Sequence, residues 1–449
     1  MTLKTRRFLY ILFVLIFITV TPLISLYAAG YKIGNGFSIQ KTGILILDSE
    51  PSGAKIFIDN KIQQKFLNKL LKKEEGFIET PAKIKNLKPG DYKIRISLDG
   101  YWPWEKKLTV NPGQSTFAED IFLFKKDLPL MMLHGKLNDI SLSPNQKFLV
   151  VNQDETTSLI NLENDLIETV STSSSINITN CVWSPKSKTV LIDNQLCNTS
   201  DTKEKKSILN LIGKEAKNIK WDTKNENKLY CVYDDTISCF DLSSNQNNII
   251  LKNKHVTDYF PRDNYLFYVE KIDNQSKFYV HDINKNELVK TIGIPNSDYI
   301  FWNTEHDLIN LYDSKYHILY LINPFSPVKP LHDTISNVKE TFWVNNDILL
   351  YANDFEIWTY DQRNQSKKLI TRISDKIDSI FWNHEKNFII YSTDKNINVI
   401  DLDERENYSS TKLFEIDTIS NLQINKSGDT LYFYSKIGNQ EGLYKLNIK

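Results

Sequence analysis

Arginine is scarce in this chain. Arg6, Arg7, Arg95, Arg262, Arg363, Arg372 and Arg405 are its only guanidinium groups, among 55 basic residues in 449. Surfaces that read phosphates or bases lean on clustered Arg for its bidentate geometry. The formal net charge of zero supplies no general attraction for a polyanion either, so nucleic acid is not an expected partner. Cysteine is equally sparse. Cys181, Cys197, Cys231 and Cys239 form no CxxC pair and no metal-ligand spacing. The seven histidines (His134, His255, His281, His306, His317, His332 and His384) are scattered, none three or four residues from another. No Gly-x-Ser-x-Gly elbow, His-Glu-x-x-His pair or Gly-rich phosphate loop occurs. Asp401-Leu402-Asp403 opens like a calcium loop, but Arg405-Glu406 stand where its central glycine belongs. The expectation is a protein without catalytic residues, cofactor or metal. Cys231 and Cys239 flank Asp234-Asp235-Thr236, a turn expected to set them opposite each other on a hairpin. A cross-strand disulfide is one reading of that pair; two half-buried thiols are the other.

What is present begins with Phe8–Ala29, 22 residues without a charge. At ~1.5 Å per residue this covers a hydrocarbon core of roughly 30 Å. Lys4, Arg6 and Arg7 precede it, which places the N-terminus in the cytoplasm and the bulk of the chain outside. Residues 1–30 read as a basic tip and single-pass anchor in the cell membrane. A cleaved signal peptide ending at Ala28-Ala29-Gly30 is the competing reading, although the apolar run exceeds the usual ~7–15 residues.

After a linker at 31–40, strand patterning fills residues 41–125. The expected strands are Gly43–Leu47, Ala54–Asp59, Tyr92–Leu98, Lys106–Val110 and Phe117–Leu123, separated by Pro-Gly turns and giving a small antiparallel domain. Pro51-Ser52-Gly53-Ala54 leads into a strand ending at Asp59, and Thr80-Pro81, Pro89-Gly90, Gly100-Tyr101-Trp102-Pro103-Trp104 and Pro112-Gly113 follow in order. On these motifs the stretch resembles a PEGA domain. That resemblance implies an exposed β-sandwich module of prokaryotic envelopes with no catalytic residues. An insert at 61–79 departs from the family pattern. Its Phe66, Leu67, Leu70 and Leu71 share one helical face, ringed by Lys65, Lys69, Lys72 and Lys73. It reads as a helix packed on its own domain, or as a basic amphipathic helix on the membrane surface. Trp102 and Trp104 are the candidate partner contacts; the alternative is that they cap the sandwich core.

Residues 126–136 read as a linker and closing strand, and 137–449 as a repeat array. Aligned on the last apolar residue before the first polar turn, the copies fall at Leu142, Trp183, Trp221, Phe260, Trp302, Trp343, Trp382 and Ile424, with spacings of 41, 38, 39, 42, 41, 39 and 42. A period near 40 with several short strands predicts an all-β propeller with one four-stranded blade per repeat. The last repeat shows three strands, and Leu130–Leu133 would supply its fourth as the N-terminal outer strand that closes the ring. Eight blades are expected, with seven as the alternative count. The Trp positions read as wedges between blades, and Asp241, Asp282, Asp361 and Asp401 at third-strand ends read as turn residues. Ser143-Pro144-Asn145 and Ser184-Pro185-Lys186 resemble the turn of TolB-like propellers; the Gly-His and Trp-Asp pairs of WD repeats are missing as a set.

Together these features describe a non-enzymatic, membrane-anchored binding or scaffold protein of a prokaryotic cell envelope. Its expected partner is an envelope protein or cell-wall polymer. A carbohydrate-binding or hydrolytic propeller is the alternative; sugar binding requires exposed aromatics on one propeller face, and hydrolysis requires Asp, Glu or His converging in the channel.

Overall fold

The computed structural model describes residues 3–33, 39–65, 68, 76–153, 156–171, 181–212, 216–273, 275–302, 307–383, 385, 387–405 and 408–449. The chain divides into two compact units, one of residues 1–127, 401–413 and 448–449, the other of 128–400 and 414–447.

The first unit opens with a helix, Leu3–Ala28. Its stretch Thr5–Ala28 has a mean hydropathy of 2.5 and buries nothing, so it is long and apolar enough to cross a membrane; a signal sequence has the same properties. Tyr31–Ile33 and Ile39–Lys41 then pair as an antiparallel hairpin in the stretch read as linker.

A two-layer sandwich follows. One sheet orders Ala82–Leu87, Gly43–Glu50 and Ser115–Phe122; the other orders Lys61–Ile62, Lys55–Ile58, Gly90–Ser97 and Trp104–Val110. Gly43–Glu50 alternates buried and half-buried residues along its whole length. Its Leu45 and Leu47 share a core with Ile56, Ile58, Ile94 and Ile96 of the other sheet. Two details differ from expectation. Ser115–Phe122 pairs parallel with Gly43–Glu50, so the domain is not purely antiparallel. Ala82–Leu87 is a strand beyond those expected.

The motif residues of the sandwich are one hydrogen-bonded corner. Gly53 adopts φ +87°, which glycine takes without strain. Its N–H donates to the Thr80 carbonyl (2.7 Å), and Thr80 N–H donates to the Ala54 carbonyl (2.9 Å). The Thr80 hydroxyl accepts from Ala54 N–H (3.1 Å) and bonds Ser49 Oγ (2.7 Å).

The insert at 61–79 is not helical at its ends. Asp59 and Asn60 both take positive φ and reverse the chain, after which Lys65 N–H donates to Gly76 and Ile78 N–H to Gln63, each at 2.9 Å. The two ends therefore pair with each other in extended form. Phe66, Leu67, Leu70, Leu71, Lys69, Lys72 and Lys73 lie outside the described residues.

Segment 401–413 is held within this unit by a buried cation. Lys106 is 3% exposed; its ammonium donates to the Asp403 carbonyl (2.7 Å) and lies 3.4 Å and 3.6 Å from the carboxylates of Asp401 and Asp403. Trp104 Nε1–H donates to Asp401 (2.8 Å). Arg405 chelates both oxygens of Asp403 and donates to the Phe117 carbonyl. Burial pushes the Asp403 carboxyl up, but Arg405 and Lys106 outweigh it and hold the group low.

Eight consecutive four-stranded sheets make up the repeat array. Blades 1 to 7 span residues 137–171, 182–207, 217–251, 256–294, 299–336, 340–372 and 377–415; blade 8 takes three strands from 419–447. Its outer strand is Leu130–His134, which pairs antiparallel with Gln440–Asn447, Leu130 facing Lys445 and His134 facing Gly442. The eight-bladed ring with its N-terminal closing strand is thus as expected. Cores are shared between blades. Leu137, Ile140, Leu149 and Val151 of blade 1 pack with Tyr432 and Leu443 of blade 8, and Phe267 and Val280 of blade 4 with Tyr299 and Leu311 of blade 5. Each such side chain contributes ~1.5–3 kcal/mol when fully buried. The aligned Trp residues sit at these seams: Trp183 Nε1–H reaches back to Ser141 of blade 1 (3.0 Å), and Trp302, its ring tilted against Tyr312 at 4.3 Å, packs on the core that blades 5 and 6 share.

The chain has only 15 glycines, and Asn and Asp serve its reversals instead. Asp193–Asn194, Asp234–Asp235 and Asp263–Asn264 take positive φ in pairs, as two-residue hairpin turns require. Asp241, Asp282, Asp361 and Asp401 each accept the backbone N–H two residues on, at 2.8–3.0 Å. They build turns once per blade.

The same two-residue turn corrects the cysteine reading. Asp234–Asp235 sets Tyr230 opposite Cys239 and Cys231 opposite Ser238. Facing residues share a sheet side, so the two thiols lie on opposite sides of the blade. All four cysteines are free, and burial pushes the Cys231 thiol up to about 12, far from a reactive thiolate.

Asp258 ties three blades together. Its carboxylate accepts from Lys220 Nζ (2.5 Å) and Asn218 Nδ2 (3.0 Å) of blade 3 and from Phe301 N–H of blade 5 (2.8 Å). Lys220 also lies over the rings of Tyr259 and Phe301. Burial lowers its pKa while Asp258 opposes the shift. Asp258→Ala leaves that ammonium buried and unpaired, and a destabilisation of about 3–5 kcal/mol is expected in urea titrations of blade fluorescence. A Cβ on Gly442 would stand 1.9 Å from the Leu133 carbonyl oxygen of the closing strand. Gly442→Ala should therefore cost about 1–3 kcal/mol and speed proteolysis between Lys126 and Lys136; an unchanged cleavage rate would contradict the closure.

Candidate functional site

Successive strands of a blade run antiparallel, so its turns alternate between the two faces of the ring. The turns after second strands and the connections between blades share one face. At blades 5 and 6 they line an open cavity of about 710 Å³, within the roughly 300–1,000 Å³ of small-molecule sites. It is lined by His317, by Asn337 and Lys339, by Asn353–Glu356, and by Arg372–Ser374.

Each group there is positioned by its turn. The Asn353 side chain accepts from Phe355 N–H (2.9 Å) and Glu356 N–H (2.8 Å) and donates to Glu356 Oε2 (3.0 Å). Glu356 Oε2 also accepts from Trp358 Nε1–H (3.0 Å), and Oε1 from Arg372 Nε (2.7 Å). The Trp358 bond first, then Arg372 and Asn353, hold the Glu356 carboxyl below its usual range. Asp354 lies 3.3 Å from Lys339 Nζ and 3.7 Å from Lys376 Nζ. Backbone bonds from Ile373 to Phe355 (2.9 Å) and from Ile377 to Asp354 (2.8 Å) pin this turn to the next connection. Phe355 remains 48% exposed at the rim. The lining thus combines two carboxylates, two cations, amides and a half-exposed aromatic ring.

His317 has an assignable tautomer. The Tyr312 hydroxyl donates its one proton to the Val338 carbonyl (2.9 Å), so toward His317 Nδ1 (2.7 Å) it accepts. Nδ1 then carries the hydrogen, and Nε2 is the basic nitrogen.

Tyr312 also feels the charge of Glu340 on the innermost strand of blade 6. Burial, and secondarily the Asp378 carboxylate on the innermost strand of blade 7, push the Glu340 carboxyl up to about 7. No sequence signal marks this residue; its neighbour across the blade boundary and its burial make it unusual. A raised carboxyl favours the protonated fold. The stability it confers is complete below the unfolded value near 4.5 and is lost as pH rises to about 7. Replacing Glu340 with Gln should therefore leave the denaturation midpoint unchanged at pH 4 and raise it at pH 8, the gap opening between those limits.

The partner-contact candidates lie elsewhere. Trp104 is buried in the sandwich core and hydrogen-bonded to Asp401, which corrects its reading as a contact. Trp102 is half-buried beneath the Lys126 ammonium, 4.7 Å from its ring. The sequence analysis did not find the cavity residues, because each is an ordinary turn residue and only the ring brings them together. Among the described residues no group of three His, Cys, Asp or Glu is arranged to hold a metal.

Comparison with known proteins finds the PEGA domain family matching residues 72–119, the later part of the sandwich. No curated protein matches the chain. Solved structures with a similar fold include a eukaryotic initiation factor (10% identity, 70% of this chain and 86% of that one, TM-score 0.47). Another is a β-propeller domain from Myceliophteria thermophila (10% identity, 59% and 95%, TM-score 0.43). A chain of a mitotic checkpoint complex is similar too (11% identity, 72% and 93%, TM-score 0.39).

Proposed function

We propose that this is a non-enzymatic, membrane-anchored scaffold protein of a prokaryotic cell envelope, which uses one face of its ring to bind an envelope protein or wall polymer. The observation that carries the reading is the order of parts: an apolar helix burying none of its residues, a sandwich with a PEGA match, then a closed eight-bladed ring. Arg6 and Arg7 at the start of the helix, ahead of its uncharged stretch, favour a cytoplasmic N-terminus and an extracytoplasmic ring. A TolB-like ancestry is supported by its Ser-Pro turns. Ser143 Oγ accepts from Phe148 N–H (2.9 Å) and Ser184 Oγ from Thr189 N–H (3.0 Å), one turn built twice.

Scaffold propellers bind through loops at their faces, and the cavity between blades 5 and 6 offers charge of both signs with an aromatic rim. Among the described residues a hydrolytic reading finds support at Glu340, near Asp378, where a carboxyl near 7 has the protonation of a general acid. Activity on wall glycans that disappears in Glu340→Gln would favour it.

Two measurements test the scaffold reading. The full chain should resist alkaline carbonate extraction from membranes; release by carbonate would exclude the anchor. In detergent it should co-sediment with isolated cell-wall material or capture an envelope protein, and Phe355→Ala should weaken either by at least several-fold. Retention unaffected by that substitution would move the binding surface away from blades 5 and 6.

A further inference from the structure

We infer that the cavity between blades 5 and 6 is a receptor site for the zwitterion of an amino acid or very short peptide. The carboxylate goes to Arg372 and Lys339 and the ammonium to Glu356 and Asp354. This deepens the scaffold reading and rests on it only in taking this loop face as the binding face.

Arg372 pairs with Glu356, and Lys339 pairs with Asp354, which Lys376 also approaches at 3.7 Å. An anion that draws Arg372 away leaves the mostly buried Glu356 carboxylate (18% exposed) without its cation, which is unfavourable. A ligand carrying both signs replaces internal pairs with ligand pairs and strands nothing. The Arg372 side chain is 71% exposed, so its guanidinium can turn from Glu356 to a ligand carboxylate while staying hydrated. The acidic pole is the fixed one. Glu356 is held by Asn353 and Trp358 as well as by Arg372, so it stays in place when the guanidinium swings to a ligand carboxylate. Phe355 and Ile373 line the same cavity and suit an apolar side chain between the two ends. The basic Nε2 of His317 adds an acceptor for a peptide N–H. A volume of about 710 Å³ admits a dipeptide with room for water.

The test is calorimetric titration of the full chain in detergent with the dipeptide Ala-Phe, N-acetyl-Ala-Phe and Ala-Phe-amide. Saturable one-to-one binding of the free dipeptide is expected, at least tenfold tighter than either capped form. Arg372→Gln should weaken Ala-Phe at least tenfold and leave the amide unchanged, since the amide lacks the group that Arg372 binds. Arg363→Gln removes a comparable exposed pair with Asp347 outside the cavity and should change nothing. Phe355→Ala gives an independent check, with an expected several-fold loss. No binding at millimolar dipeptide, or equal binding of free and capped forms, overturns the inference. If wall or partner retention persists with no dipeptide binding, this inference falls and the scaffold reading stands; loss of both refutes the face itself.

Discussion

No blade of this ring has a core of its own. A four-stranded sheet of short strands buries its two sides only against its neighbours, so blade 1 shares its apolar residues with blade 8 and blade 4 with blade 5. Everything else in the second unit follows from that constraint. The ring has to close, because an unpaired last blade would leave an edge of free backbone groups. The strand Leu130–His134 meets that need by pairing with the far end of the sequence. Polar groups caught between blades must be satisfied across the seam, and Asp258 does so for Lys220, Asn218 and Phe301 at once.

Closure also frees the loops. Since the strands are held from both sides, turns can carry whatever residues their geometry permits. Here they are Asn and Asp, which take left-handed backbone conformations and fold their side chains onto the next backbone N–H. That choice leaves carboxylates and amides at both faces. Most of them only build turns, as Asp241, Asp282 and Asp361 do. Between blades 5 and 6 the same chemistry does something different. There Asn353 holds Glu356, Glu356 meets Arg372 from the next connection, and Asp354 meets Lys339 from the previous one.

The fold was legible in the sequence because it repeats. A period near 40, anchored on Trp and Phe, gave the blade count, and Leu130–Leu133 stood out as an apolar strand without a neighbour in its own repeat. Single elements without a repeat were harder to read. Ala82–Leu87 was not among the expected strands, and lysines stand between its apolar residues. The parallel pairing of Ser115–Phe122 depends on a partner far away in the chain. The Cys231–Cys239 pairing went wrong by one residue of turn length, which in a strand reverses the side a residue faces. Trp104 carried the signal of an exposed aromatic beside proline, yet burial and Asp401 claim it. The cavity and Glu340 were invisible because they arise from the seams between blades, where sequence neighbours play no part.

The central claim is that the loop face at blades 5 and 6 is the one that meets a partner. A photo-crosslinking amino acid placed at residue 355 in the living cell tests it directly. The matching probe belongs at residue 364, in the turn after the third strand of the same blade and so on the opposite face. Adducts formed at 355 and absent at 364 are the predicted result. Adducts at 364 with none at 355 would contradict the account and turn the ring over.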